Sequence, residues 1–223
     1  MLGPNHKKEK PFTGFAGFGG GGLGLLGGGA SAAKKYLDEV FSTFLYDGNS
    51  STQTINNGLD LSGEGGLVWM KERSGSGFDD HVLVDTVRGR FEALKTNSDN
   101  QQTTSSEPYP YIASFDTTGF TAGYNNSNNY AAAEYVSWTF RKAPGFFDVV
   151  TYTGNSTAGR TIAHNLESTP GMIWIKCTSE NSREWVVYHR EIGASPPASY
   201  YLWLDSTNAR GSSGNYFDDT APT

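Results

Sequence analysis

From residue 40 onward, short apolar runs alternate with polar breaks marked by glycine. Runs rich in Val, Ile, Leu, Phe, Tyr and Trp stand at 40–46, 67–71, 81–84, 91–95, 111–115, 119–123, 135–140, 172–176, 185–188 and 200–204. Each has the length of a β-strand, and the Gly, Asn, Ser and Thr between them are turn residues. Two runs, LVWMK (67–71) and MIWIK (172–176), are too densely apolar for a one-sided strand, so they are expected to be covered on both faces. In 132–140 the alternation places Tyr135, Ser137 and Thr139 on one face and Val136, Trp138 and Phe140 on the other. The segment 104–111 reads as a proline-bent loop and NNSNN (125–129) as a turn. Residues 30–37 could begin a helix capped by Ser31, and Val40, Phe41, Phe44 and Leu45 keep helical spacing.

That ambiguity is resolved by an internal repeat. Tyr46, Gly48, Asn49, Thr54-Ile55, Leu59 and 66–71 (GLVWMK) recur as Tyr152, Gly154, Asn155, Thr161-Ile162, Leu166 and 171–176 (GMIWIK). The match continues from His81-Val82-Leu83-Val84 to Trp185-Val186-Val187-Tyr188. The approach VFSTFLY (40–46) corresponds to FFDVVTY (146–152), so both are read as strands. A unit of this size suits a sandwich rather than a solenoid turn. Trp69 and Trp174 are expected in the core. The expected architecture is all-β: two related antiparallel sandwich-like units at 36–145 and 146–223, after an N-terminal extension at 1–35. Counterparts of 114–120 and 134–140 are missing from the second unit. It is expected to be completed by a partner or, the preferred expectation, by further residues of a longer polypeptide.

Composition sharpens this picture. Long Ala/Leu/Glu/Lys stretches are missing, which argues against a helical protein. The single cysteine, Cys177, excludes an intramolecular disulfide and a cysteine-rich metal site, and it is expected to be a small buried hydrophobe. Net charge is −6, but 1–35 carries +4, leaving −10 on the body. An acidic body opposes binding to nucleic acid or anionic lipid. No signal-peptide pattern is present, and the run 15–26 is too short and too rich in glycine to insert in a membrane as a helix. Phe12, Phe15, Phe18, Leu23, Leu25 and Leu26 are strewn through this glycine-rich stretch. Both a flexible linker and a peptide that docks on another subunit fit it.

No motif for catalysis emerges. The four histidines, His6, His81, His164 and His189, have no metal-ligand spacing, and His164 reads as part of a turn. There is no nucleophile elbow or phosphate loop. Asp79, Asp80 and Asp85 with Glu64, or Asp218 with Asp219, would make a glycosidase pair only if folding set them face to face. They also lack the alternation of a calcium loop. The chain is therefore expected to be non-enzymatic and without cofactors. Carbohydrate binding is the rival reading. Tyr109 and Tyr124, with Tyr111 and Tyr130 nearby, stand in or beside loops where rings can cover a sugar face.

The motifs FSTFLYDGNSSTQTI, GLVWMK, HVLVDTVRG, SFDTTGF, YVSWTFRKAPGFFDVVTYTGNSTAGRTIAHNL and GMIWIK together resemble a poorly characterised repeated domain of virion proteins of tailed phages, many of them marine. The resemblance spans 36–223. It implies a structural virion protein, most plainly a tail-fibre-like one, made in the bacterial cytoplasm and assembled on the tail. The fibre reading brings with it the expectation of other tail proteins as partners and of a homotrimer, while a host surface glycan is the partner expected under the rival carbohydrate-binding reading. No catalytic residue comes with the resemblance. A head-decoration or tail-hub protein is the alternative within the same class. The segment 1–35 lies outside the resemblance, so its tail-docking role is an expectation drawn from its apolar residues.

Overall fold

A computed structural model describes residues 36–75, 77, 80–193, 196–214 and 216–223. The docking residues Phe12, Phe15, Phe18, Leu23, Leu25 and Leu26, the start of the expected helix at 30–35, and Asp79 lie outside the described residues.

The most apolar strand organises the fold. β3 (Gly66–Ser74) is flanked by β4 (His81–Asp85) and β9 (Glu134–Arg141). β1 (Phe41–Asp47) lies beyond β9, and β5 (Glu92–Lys95) and β6 (Thr103–Thr104) lie beyond β4. The order is β1-β9-β3-β4-β5-β6, antiparallel throughout. β2 (Gln53–Asn56), β8 (Gly119–Ala122) and β7 (Ile112–Asp116) form a second, three-stranded sheet. Period-two alternation sends Val68, Met70, Val82, Val84, Ala93 and Tyr135 toward that sheet, where they meet Ile55, Ile112, Phe120 and Ala122 in one core. This is a β-sandwich, and the predicted all-β architecture holds. Strand 40–46 is likewise a strand, preceded by a single 3-10 turn at Leu37–Glu39.

The expected NNSNN turn is instead one helical turn, α1 (Asn126–Asn129), because Asn125 caps it by accepting the Ser127 amide. Its asparagines are structural. Buried Asn128 donates to the Tyr111 carbonyl at 2.8 Å, and its own carbonyl accepts the Tyr46 hydroxyl at 2.7 Å. Burial, and then the neighbouring Tyr135 phenol, push the Tyr46 hydroxyl well above its ordinary pKa.

The second unit supplies a single four-stranded sheet: β10 (Met172–Ile175), β11 (Val186–His189), β12 (Tyr200–Trp203) and β13 (Gly211–Ser212). It reproduces β3-β4-β5-β6 in register. Trp69 sits opposite Leu83, and Trp174 opposite Val187. Leu83 sits opposite Leu94, and Val187 opposite Leu202. Ala93 sits opposite Thr103, and Tyr201 opposite Gly211. Even a loop contact recurs: His81 N–H donates to Asn97 Oδ1 at 3.0 Å, and Trp185 N–H to Asp205 Oδ1 at 3.3 Å.

The two copies are stacked. The outward face of the six-stranded sheet, with Leu67, Trp69, Leu83, Leu94 and Phe140, is covered by Phe147, Val149, Trp174, Trp185 and Leu204. Equivalent tryptophans meet edge to face, with the Trp69 and Trp174 rings 5.7 Å apart. The central strands β3, β4 and β9 are therefore buried on both sides, as the density of LVWMK required. Trp185 anchors the contact, 3% exposed with its indole N–H donating to the Lys95 carbonyl at 3.0 Å. Lys176 Nζ reaches across to the Asp99 carbonyl at 3.1 Å and also donates to the Cys177 and Arg183 carbonyls.

Three expectations are corrected. MIWIK is not covered on both faces: Met172 is 50% exposed and Ile173, Trp174 and Ile175 are half-buried, because β10 is an edge strand. Residues 146–152 form no strand, only an isolated bridge between Ala143 and Phe147. Their counterpart β1 is held in extended form by β9, and no described segment plays the part of β9 for the second unit. Cys177 is half-exposed rather than buried, because it follows β10 in a turn where its sulfur lies 3.7 Å from Ser179 Oγ.

Two measurements check this arrangement. Trp185→Ala removes a buried ring and its hydrogen bond between the layers, and is expected to lower unfolding free energy by about 3–5 kcal/mol in urea titrations. Asp148 fastens the linker between the units. Its carboxylate, 4% exposed, pairs with Lys142 at 2.9 Å and accepts the Asn165 and Val149 amides at 2.8 and 2.9 Å. Burial alone would raise its pKa, but these partners together hold it below the ordinary carboxylate value. Its contribution is then present above about pH 3.9, the unfolded value, and is lost as pH falls through the lower folded pKa. Asp148→Asn is expected to cost about 1–2 kcal/mol at neutral pH, with the difference from the parent chain shrinking as pH falls through the folded pKa.

Candidate functional site

The repeats are related by an approximate two-fold arrangement, and the place where it breaks is a cleft. On one side, Trp185 and Lys176 press against 95–99 of the first unit. On the other, their equivalents His81 and Lys71 face Leu204, Asp205, Ser206 and Thr207. A histidine stands there in place of the filling tryptophan, and an open cleft of about 460 Å³ results.

Strands β3 and β9 set two tryptophans into its wall, with the Trp69 and Trp138 rings 5.2 Å apart and tilted by 53°. Trp69 Nε1 and Thr96 Oγ1, both on lining residues, are buried without a protein partner. Asn97 uses its side-chain oxygen on the His81 amide, and no described group takes its Nδ2. Asp205 accepts the Trp185 amide from the opposite wall. Apolar rings beside the polar side chains of Asn97, Asp205 and Ser206 make a surface for a small polyhydroxylated ligand.

The tyrosines singled out from the sequence lie elsewhere. Tyr109 (54% exposed) and Tyr124 (39%) do come together, at 5.3 Å with a 54° tilt, on the loops at one end of the sandwich. Asn125 beside them is already engaged, donating to the Tyr109 carbonyl at 3.3 Å and accepting the Ser127 amide. Tyr111 is buried, its hydroxyl 3.1 Å from Thr103 Oγ1, and the exposed Tyr130 donates its amide to the Tyr135 hydroxyl. The cleft was not foreseeable, because its walls come from opposite repeats. The one signal for it was His81 standing against Trp185 in the repeat alignment.

Asp85, Asp80 and Glu64 are each engaged with a different cation. Asp85 is buried in a turn, accepting the Val87 and Arg88 amides and pairing with Arg88 Nε at 2.6 Å. Asp80 pairs with Lys95, while Glu64 reaches Arg141 at 3.6 Å. His164 serves its turn as expected, accepting the Leu166 amide. Among the described residues, no group of three or more His, Cys, Asp or Glu is placed to hold a metal ion, and no helix is long and apolar enough to cross a membrane.

Neither curated proteins nor solved structures gave a match. A protein family described as a domain of unknown function, DUF7483, matches residues 37–223, both repeats and the linker between them, and the chain belongs to that family.

Proposed function

We propose that this chain is a non-enzymatic structural protein of a tailed-bacteriophage particle, tail-fibre-like, docked through residues 1–35 and serving host attachment with its β body. What carries the reading is the packing of one unit on its own copy, equivalent face to equivalent face, which joins the two repeats into one β body. The virion motifs quoted above support it, and trimeric assembly with other tail proteins belongs to the same reading. Deleting residues 1–29 is expected to leave the β body folded, with an unchanged unfolding midpoint, while abolishing incorporation into particles scored by mass spectrometry and cryo-EM. Normal incorporation of that deletion would remove the docking role, and absence of the full chain from purified particles would remove the virion reading.

A second reading, carbohydrate recognition, is favoured by the cleft between the repeats. Its tryptophan wall, with Asn97, Asp205 and Ser206 beside it, offers an apolar face next to polar groups, as a sugar does. Titration with a glycan panel, followed by NMR, is expected to shift Trp69, Asn97 and Ser206, with Trp138→Ala weakening binding about tenfold or more. Shifts confined to Tyr109 and Tyr124 would move the site to the loop patch, and no shift with any glycan would end this reading.

A further inference from the structure

The second repeat keeps the loop and the strand edge, though not the outer strand, of the site that residues 125–141 fill in the first repeat. In the first unit the loop after β1 is held by that segment. The Gly48 amide donates to the Ala133 carbonyl, the Asn49 amide to Asn129 Oδ1, and the Ser50 amide to the Asn129 carbonyl, at 2.8, 3.1 and 2.8 Å. Tyr46 stacks on Tyr135 at 5.3 Å with ring planes 17° apart.

The second repeat keeps the loop, and among the described residues none takes the place of the segment. Asn155 Oδ1 accepts the Thr157 amide as Asn49 Oδ1 accepts the Ser51 amide. Ser156 holds φ 57° where Ser50 holds φ 52°, a left-handed conformation that a serine adopts at a cost. Yet Tyr152 is 48% exposed where Tyr46 is 7% exposed.

Two glycines say the same thing independently. A Cβ on Gly48 would overlap the Tyr130 carbonyl, and one on Gly66 would overlap the Phe140 carbonyl, so both are glycine because the 130–141 backbone crosses them. Their equivalents, Gly154 and Gly171, are glycine as well. Around Gly154 there is nothing within 4 Å, and around Gly171 only the Arg190 side chain, from 3.4 Å. Neither has a left-handed φ to explain it.

The strand edge completes the match. In β3 the Gly66 carbonyl accepts from Thr86 on the β4 side, while the Gly65 carbonyl accepts from Lys142 on the β9 side. Antiparallel alternation therefore turns Leu67 and Trp69 toward β9. In β10 the Gly171 carbonyl accepts from Arg190, the equivalent of Thr86, so Met172 and Trp174 turn their N–H and C=O groups toward the open edge. Met172 is 50% exposed there.

We propose that the second repeat is an acceptor for a polypeptide segment from outside residues 36–223 with the chemistry of 125–141: an Asn-rich turn whose side-chain and backbone carbonyls receive the Asn155 and Ser156 amides, a following backbone carbonyl for the Gly154 amide, a tyrosine that stacks on Tyr152, and an antiparallel strand of alternating aromatic and β-branched residues on the edge of β10. This is strand addition with a side-chain key.

The probe is a synthetic peptide of residues 125–141 added to the full chain, with amide hydrogen exchange as the readout. Saturable binding is expected, with slowed exchange at Met172, Trp174 and 154–156, and none with a scrambled peptide. Gly171→Val places a side chain where the incoming backbone would cross but meets no backbone now. It should keep the unfolding midpoint and weaken peptide binding about tenfold or more. Three results would overturn the proposal: no binding, binding undiminished in Gly171→Val, or edge amides already slow in the chain alone. The last would give the edge to residues 1–35 or, if it grew with protein concentration, to a second copy.

Discussion

Burial of the central strands β3, β4 and β9 on both faces is the constraint from which the rest follows. A strand covered on one side can afford a polar face, but β3 and β9 cannot. β3 therefore sends Val68 and Met70 inward and Leu67 and Trp69 outward, and β9 does the same with Tyr135 against Phe140. The few polar groups admitted are small or paired: Ser137 and Thr139 on β9, and Asp85 clamped by Arg88 at the strand end. An unpaired carboxylate there would carry an uncompensated desolvation cost of several kcal/mol. Among the described residues, the second unit has no three-stranded sheet of its own. Trp185 is buried, and Trp174 and Leu204 are partly buried, against the other repeat.

Packing like faces together normally produces a symmetric contact. Here the two faces have diverged, and the divergence has a shape. Trp185 closes one flank of the contact and His81 leaves the other open, so a cleft arises beside Trp69 and Trp138 without any loop being built for it. The opposite face of the second sheet is covered differently again. Tyr216 and Phe217 lie across it, with Phe217 5.3 Å from Tyr188 and Tyr216 4.7 Å from Tyr201. Those rings stand where the first unit has its three-stranded sheet.

Much of this was legible in the chain. Alternation and turn residues located most strands to within a residue or two, because strand period and turn chemistry are local properties. The repeat located the second sheet, since the apolar positions of β10 and β11 copy those of β3 and β4. The short strands β6 and β13, two residues each, carry no pattern to detect. Asn128 and Asn129 read as turn residues because their composition is polar, and only the fold shows them buried and bonded to three separate loops. The stacking of the units was hidden for the same reason as the cleft: a dense apolar run says that both faces are covered, not by what.

The failure at 146–152 is the most instructive, because the inference behind it was sound. VFSTFLY and FFDVVTY have the same pattern, and one is a strand while the other is not. Strand propensity describes how a segment fits a pleated surface that already exists. β1 has that surface in β9, whose seven register partners run from Phe41 to Asp47. Residues 146–152 lack it, so Phe147 and Val149 are spent on the layer contact and Val150 and Tyr152 stay in water. The loop that follows nevertheless keeps its asparagine turn and its left-handed serine. A turn closed by its own side chain needs no neighbour, whereas a strand does. The second repeat thus separates what the motif encodes locally from what the fold must supply.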